Sequence, residues 1–314
     1  MNARYLFFGG KGGVGKTTAA SATALFLLNK AKRNDSLLLF STDPAHSLSD
    51  SLDVKVGNRL VEVKQFRGAR LFAYEMDAAL ALERFRAAHG EVLAEIAERG
   101  TLLDEDDINQ LLNLSLPGLD EVMSLFELSE VDREGKYSRI IVDTAPSGHT
   151  SRLLRLPEVF ARIVRTLDLL GEKHRYMIAH FARRKAPLDR VELFLRDLTE
   201  RIASVRKMLY GEQTSFALVT IPEAMSVRET ERYLALLKER GVPVRDVIVN
   251  RVEQEHEDCQ YCHARVLSQK RWLKEIVRLF RGFELHYVPL MAEEVRGLVM
   301  LKEVGNVVWK ANSH

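Results

Sequence analysis

The chain has 314 residues, 46% hydrophobic and 29% charged, with 46 Lys and Arg against 44 Asp and Glu for a formal net charge of +2. That composition is globular rather than disordered, and so small a net charge gives no ground for expecting nucleic acid as a partner. No apolar run approaches the ~20 residues of a membrane span, and the run Tyr5–Phe8 is too short for a signal sequence, so a cytoplasmic location is expected.

In chain order, the first element is a buried strand, Tyr5-Leu6-Phe7-Phe8. It leads into Gly9–Thr18, GGKGGVGKTT, and a helix over Thr17–Lys32. Gly10, Gly15, Lys16 and Thr17 satisfy the P-loop spacing G-x-x-x-x-G-K-[ST]. Glycines let successive backbone N–H groups curl round a phosphate without Cβ clashes, and the helix N-terminus adds partial positive charge. Gly10, Lys11, Gly12, Gly13, Val14, Gly15, Lys16, Thr17 and Thr18 are therefore the candidate nucleotide cradle. Lys16 is placed to reach the β- and γ-phosphates and the Thr17 hydroxyl to sit on Mg²⁺. Lys11 is a second lysine that an ordinary loop of this kind does not need. At the start of the loop it is suited to project outward, toward a nucleotide held by a second subunit.

Leu37–Thr42 reads as a buried parallel strand and Leu71–Met76 as another. From Asp77 to Glu134 the pattern is helical. Ile140–Asp143 is a strand again, and an arginine-rich helical pattern runs from about Glu158 to Tyr210. Phe216–Ile221, Val247–Asn250 and Phe283–Val288 read as further strands with helices between them. The expected fold class is α/β: a mostly parallel, doubly wound P-loop NTPase sheet with an inserted α-helical subdomain. The whole chain, 1–314, is expected to be one such domain, with the helical subdomain inserted at about 77–134 and 157–212.

Two of these strands end in aspartate, at the sheet edge where open α/β folds carry their chemistry. Asp143 follows Ile-Ile-Val, the position of a carboxylate that holds a water on Mg²⁺. Mg²⁺ needs few protein ligands, which leaves Asp43 free to orient an attacking water. The alternatives are a helix cap at Asp143 and a turn cap before Pro44 at Asp43. The catalytic candidates are thus Asp43, Lys11 and Lys16.

The loop K-G-G-V-G-K-T resembles the deviant Walker A of the family that includes the nitrogenase iron protein, the Min and Par ATPases, and the arsenite and tail-anchored-protein ATPases. S-T-D-P-A-H-S-L-S-D at 41–50 and D-T-A-P-S-G-H-T at 143–150 are similar to the two switch signatures of its arsenite-pump and guided-entry branch. P-G-L-D-E at 117–121, T-I-P-E at 220–223, R-E-T at 228–230, V-N-R at 249–251 and V-P-L-M-A-E-E-V-R-G at 288–297 match the same pattern in order. The resemblance implies a homodimeric ATPase using ATP and Mg²⁺, with Lys11 acting across the dimer, Asp43 orienting water and Asp143 near Mg²⁺. It also implies that Asn250 reads adenine with Pro289 near the ring face, and the lack of [NT]-K-x-D favours ATP over GTP. Ser47 departs from the pattern, since eukaryotic targeting members usually carry Asn there. The closest likeness is to the factors that capture tail-anchored membrane proteins and deliver them to a membrane receptor, with transient peripheral association. An arsenite- or antimonite-stimulated ATPase that energises a metalloid pump is the alternative.

Cys259-Gln260-Tyr261-Cys262 holds both cysteines of the chain. Structural zinc takes four ligands, so two pairs meeting on a dimer axis would complete a site, and the resemblance implies Zn²⁺ shared in that way. His256 and His263 are intrachain alternatives, and a redox pair or free thiols remain open. In the helical segments, Met123, Leu125, Phe126, Met177, Ile178, Phe181, Phe194 and Met208 are candidates for a client-facing apolar surface. The competing expectation is that a stripe at helical spacing is core.

Overall fold

The computed structural model describes residues 3–43, 47–100, 119–144, 190–255 and 259–310. The sequence motifs at 44–46, 117–118 and 145–150, together with Met177, Ile178, Phe181 and His256, lie outside the described residues. The chain divides into two compact units, Met1–Asp77 with Asp132–Ser151 and Met208–His314, and Ala78–Val131 with Arg152–Lys207.

The first unit is built on an eight-stranded sheet of order β3-β4-β2-β5-β1-β6-β7-β8. The strands are β1 (Tyr5–Gly10), β2 (Ser36–Ser41), β3 (Val61–Phe66), β4 (Ala69–Glu75), β5 (Arg139–Asp143), β6 (Thr214–Thr220), β7 (Val244–Val252) and β8 (Glu284–Pro289). All neighbours are parallel except β3 and β4. Strands such as β1, β2, β5 and β6 are buried on both faces, which is why they read as unbroken apolar runs. β3 is an edge strand that the apolar runs do not announce. Its Val, Phe and charged residues alternate, and Arg67-Gly68 turns the chain back with φ of 51° and 86°, the geometry of a two-residue hairpin turn.

Among the described residues, five helices belong to this unit: α1 (Lys16–Lys30), α2 (Ser47–Leu52), and, later in the chain, α6 (Ala224–Glu239), α7 (Gln260–Leu279) and α8 (Gly297–Lys310). α1 is apolar round most of its circumference because it is covered on both sides. The sheet lies on one side and α8 on the other, where Trp309 donates its indole N–H to Thr23 Oγ1 at 2.9 Å. The small residues Ala19, Ala20, Ala22 and Ala24 let the two helices approach. Gly305 of α8 sits directly on the carbonyl oxygen of Ala22, so that a Cβ there would overlap it. The imidazole of His286 ties the far end of the same layer, 2.8 Å from both Asp246 Oδ1 and the Val308 carbonyl.

The second unit contains, among the described residues, α3 (Ala78–Gly100), α4 (Leu119–Val131) and most of α5 (Arg190–Tyr210). The rings of Phe85, His89 and Phe194 cluster within it, at 4.8 to 6.4 Å between centroids. Met123, Leu125, Phe126 and Phe194 are buried, as is Met208 at the end of α5. Of the two readings open to them, client surface and core, burial favours core for these side chains, because amphipathic helices bury their apolar stripe against one another first. Replacing Gly305 by Val should force α8 off α1 and lower stability by ~1–3 kcal/mol, the usual penalty for overpacking. Thermal unfolding of the variant measures it, and no change in melting temperature would contradict this packing.

Candidate functional site

The site forms at the C-terminal ends of β1, β2 and β5, where successive connections leave the sheet in opposite directions. β1 delivers Gly9 and Gly10 into the loop, and α1 starts at Lys16. Gly10 is required by close approach: a Cβ would run into the Val219 carbonyl of neighbouring β6. Gly15, the N-cap of α1, has φ +94°, and its missing side chain leaves room for the Asn250 amide. Gly12 and Gly13 form the exposed rim with Lys11 half-buried beside them, while the Val14 side chain turns into the core and leaves only its backbone to the site. Thr18 is half-buried on the first turn of α1.

Lys16 is buried, and its ammonium donates to the Lys11 carbonyl at 3.3 Å. Burial pushes its pKa down, against the opposing attraction of Asp143 and Asp43. Thr17 donates its hydroxyl to Asp143 Oδ2 at 2.7 Å and lies 3.0 Å from the Ser47 hydroxyl. Asp143 Oδ2 also accepts from Ser41 at 3.2 Å, and Ser41 Oγ in turn accepts the Asp43 N–H at 3.2 Å. Pairing of β1, β5 and β2 makes this possible, because Phe8, Asp143 and Ser41 stand side by side in register.

Asp143 is 0% exposed, and its second oxygen, Oδ1, has no hydrogen-bond partner among the described residues. Burial raises its carboxyl to about 7, reinforced by the charge of Asp43 and opposed by Thr17, Lys16 and Ser41. A buried carboxylate oxygen left open beside a threonine hydroxyl fits a hard divalent cation or its bound water. Thr17 and Asp143 are therefore the residues that suit Mg²⁺.

The remaining sequence candidates lie at two places. Asn250, near the end of β7, donates to the Val14 carbonyl at 2.9 Å, so its amide braces the loop from behind. Pro289 ends β8 in register with Val252, half-buried. Cys259 and Cys262 are joined in a disulfide at the start of α7, and the Cys262 N–H points at Cys259 Sγ at 3.1 Å. His263 sits 3.4 Å from Glu255 rather than beside a free thiol. Among the described residues no group of three or more His, Cys, Asp or Glu is placed to hold a metal.

Two residues of the site have no role assigned to them by the motifs. Ser41, which opens the S-T-D-P-A-H-S-L-S-D signature, bridges both strand-end aspartates. Glu75 ends β4 and binds the first turn of α2 through Leu48 N, Ser49 N and Ser49 Oγ at 2.8, 3.3 and 2.6 Å. A glutamate closing an apolar strand at the same sheet edge is the signal that could have found it.

A glycine-lined loop between a central parallel strand and a helix, a buried lysine within it and a threonine–aspartate pair beside it define a P-loop nucleoside triphosphatase. The chain matches the family of anion-transporting ATPases over residues 3–310 and belongs to it; the protein is an ATPase. It is 34% identical to "ATPase GET3" of Podospora anserina, covering 98% of this chain and 91% of that one. It is 31% identical to "ATPase ASNA1 homolog 1" of Paramecium tetraurelia, covering 99% and 93%. No helix among the described residues is long and apolar enough to cross a membrane.

The state of Asp143 has a consequence for stability. Unfolded, an aspartate titrates near pH ~4; folded, Asp143 titrates near 7. Between those values the native protein holds a proton that the unfolded chain has released, so stability falls as pH rises through that window. Thermal unfolding of nucleotide-free protein from pH 5 to 8 should show this decline, and Asp143→Asn should flatten it. An identical slope in both proteins would contradict the burial of that charge.

Proposed function

We propose that the protein is a homodimeric ATPase that captures the hydrophobic transmembrane segment of tail-anchored proteins and delivers it to a membrane receptor from the cytoplasm. The observation that supports this reading is a glycine-lined loop with its buried lysine and threonine–aspartate pair, joined in one chain to a helical unit whose two stretches, Ala78–Val131 and Arg152–Lys207, lie downstream of the strand ends at Asp43 and Asp143. The ordered motifs that resemble the guided-entry ATPases supply the class of client. A helical unit placed there can respond to hydrolysis, because loops that contact the γ-phosphate reorganise when it leaves.

Within the site, Lys16 and the loop N–H groups hold the β- and γ-phosphates of ATP. Asp43, anchored through its own N–H to Ser41, orients the attacking water. Lys11, half-buried beside the exposed glycines of the loop, reaches the nucleotide of a second subunit. Thr17 would hold Mg²⁺ and Asp143 a water on it, and the ion would neutralise phosphate charge. Asn250 and Pro289 flank the adenine side. In reduced form, Cys259 and Cys262 would supply two of the four ligands of a Zn²⁺ site shared with a second copy. A metalloid-binding role is less well served, since the chain has a single cysteine pair.

Asp43→Asn should abolish steady-state ATP turnover and leave nucleotide affinity in place; normal turnover removes the catalytic assignment. Lys11→Ala should lower turnover by ~10³-fold, the scale of other cations acting in trans, and stay bound to ATP. The client is tested by co-expression with a protein bearing one C-terminal transmembrane segment. Co-purification that depends on that segment supports the reading. Turnover stimulated by arsenite and lost in Cys259→Ser would replace it with the metalloid alternative.

A further inference from the structure

Asp43 and Ser47 are separated by three residues, and the structure holds both ends of that short segment. On the Asp43 side, Thr42 donates its N–H to the Asp143 carbonyl at 2.9 Å and Asp43 its N–H to Ser41. On the Ser47 side, the anchor is Glu75. This carboxylate is 3% exposed. Oε1 accepts the N–H groups of Leu48 and Ser49, and Oε2 accepts the Ser49 hydroxyl. A carboxylate at a helix N-terminus satisfies donors that have no partner within the helix.

α2 spans only six residues, Ser47–Leu52. A helix so short has no stability of its own; the buried side chains of Leu48 and Leu52 hold its far face in the core, and what binds its first turn fixes the end nearest the site. Glu75 is itself rigidly placed: it pairs in register with Ser41 across β4 and β2, and the next residue, Met76, donates to the Ser41 carbonyl at 3.1 Å. The Ser49 hydroxyl meets the Val56 N–H as well, at 3.2 Å, closing the chain back on this point. The first residue of α2, Ser47, is the one that meets Thr17 Oγ1.

We infer that Glu75 is a positioning residue for hydrolysis: by clamping the first turn of α2 it sets where the Asp43 segment rejoins the Thr17 hydroxyl, and so where the Asp43 carboxylate stands. This rests on the reading of Asp43 as the residue that orients water. Glu75 spends its carboxylate on Leu48 and Ser49 and acts through the segment. Its reach, rather than its charge, is what the geometry uses.

The test compares Glu75→Gln, which keeps the reach and loses the charge, with Glu75→Asp, which keeps the charge and withdraws it by one methylene. Turnover is expressed per nucleotide-binding site, counted by titration with a fluorescent ADP analogue, so unfolded protein does not enter the result. Glu75→Gln should stay within about threefold of the wild type, and Glu75→Asp should lose ~10²-fold in kcat at unchanged KM, the scale of an ångström misplacement. Wild-type kcat in Glu75→Asp overturns the inference, as does an equal loss in both variants. Asp43→Asn, run alongside, separates the two levels: full turnover in Asp43→Asn sinks the reading of the segment. An inactive Asp43→Asn beside a fully active Glu75→Asp removes Glu75 alone.

Discussion

The site depends on one buried carboxylate. Asp143 sits at the end of β5 with no exposure to solvent and gathers Thr17, Ser41 and, through Ser41, Asp43. A charge taken out of water must be surrounded by donors or a cation, or it takes up a proton. Here the donors are two hydroxyls and the nearby Lys16, and they do not fully offset burial, which leaves the carboxyl at about 7. The same imbalance suits Asp143 to a divalent cation, which would supply the charge that the protein withholds.

Around that point the fold supplies rigid supports rather than further charges. α1 carries Lys16 and Thr17 and is gripped between the sheet and α8, with Gly305 against the Ala22 carbonyl and Trp309 on Thr23. Asn250 braces the loop from β7 by taking the Val14 carbonyl. Glu75 holds α2 from β4. Two of these supports, Asn250 and Glu75, start near strand ends of the same sheet, so the positions they set are inherited from strand pairing. Placing such groups on regular elements keeps them within the small displacements that hydrolysis tolerates.

Much of this was legible in the chain. Tyr5–Phe8, Leu37–Phe40 and Ile140–Val142 are unbroken apolar runs because parallel strands are covered on both faces, and the glycine loop is recognisable because only glycines permit the close backbone approach seen at Gly10 and Gly15. β3 was not legible as an apolar run, since an edge strand covered on one side carries charges at alternate positions. Met123, Phe126 and Phe194 could be read either as a client surface or as core. Periodicity identifies the apolar stripe of a helix, and only the neighbouring helices decide what covers it.

Taken alone, the chain determined the class of protein: the glycine spacing, Lys16, Thr17 and the two strand-end aspartates each follow from local chemistry over a few residues. Tertiary structure decided how those residues act together. That the Thr17 hydroxyl donates to Asp143, that Ser41 joins Asp143 to Asp43, and that Glu75 anchors α2 are contacts across 126, 102 and 26 positions of chain. Such distances in sequence are closed by strand register alone, and register is a property of the assembled sheet rather than of any segment within it.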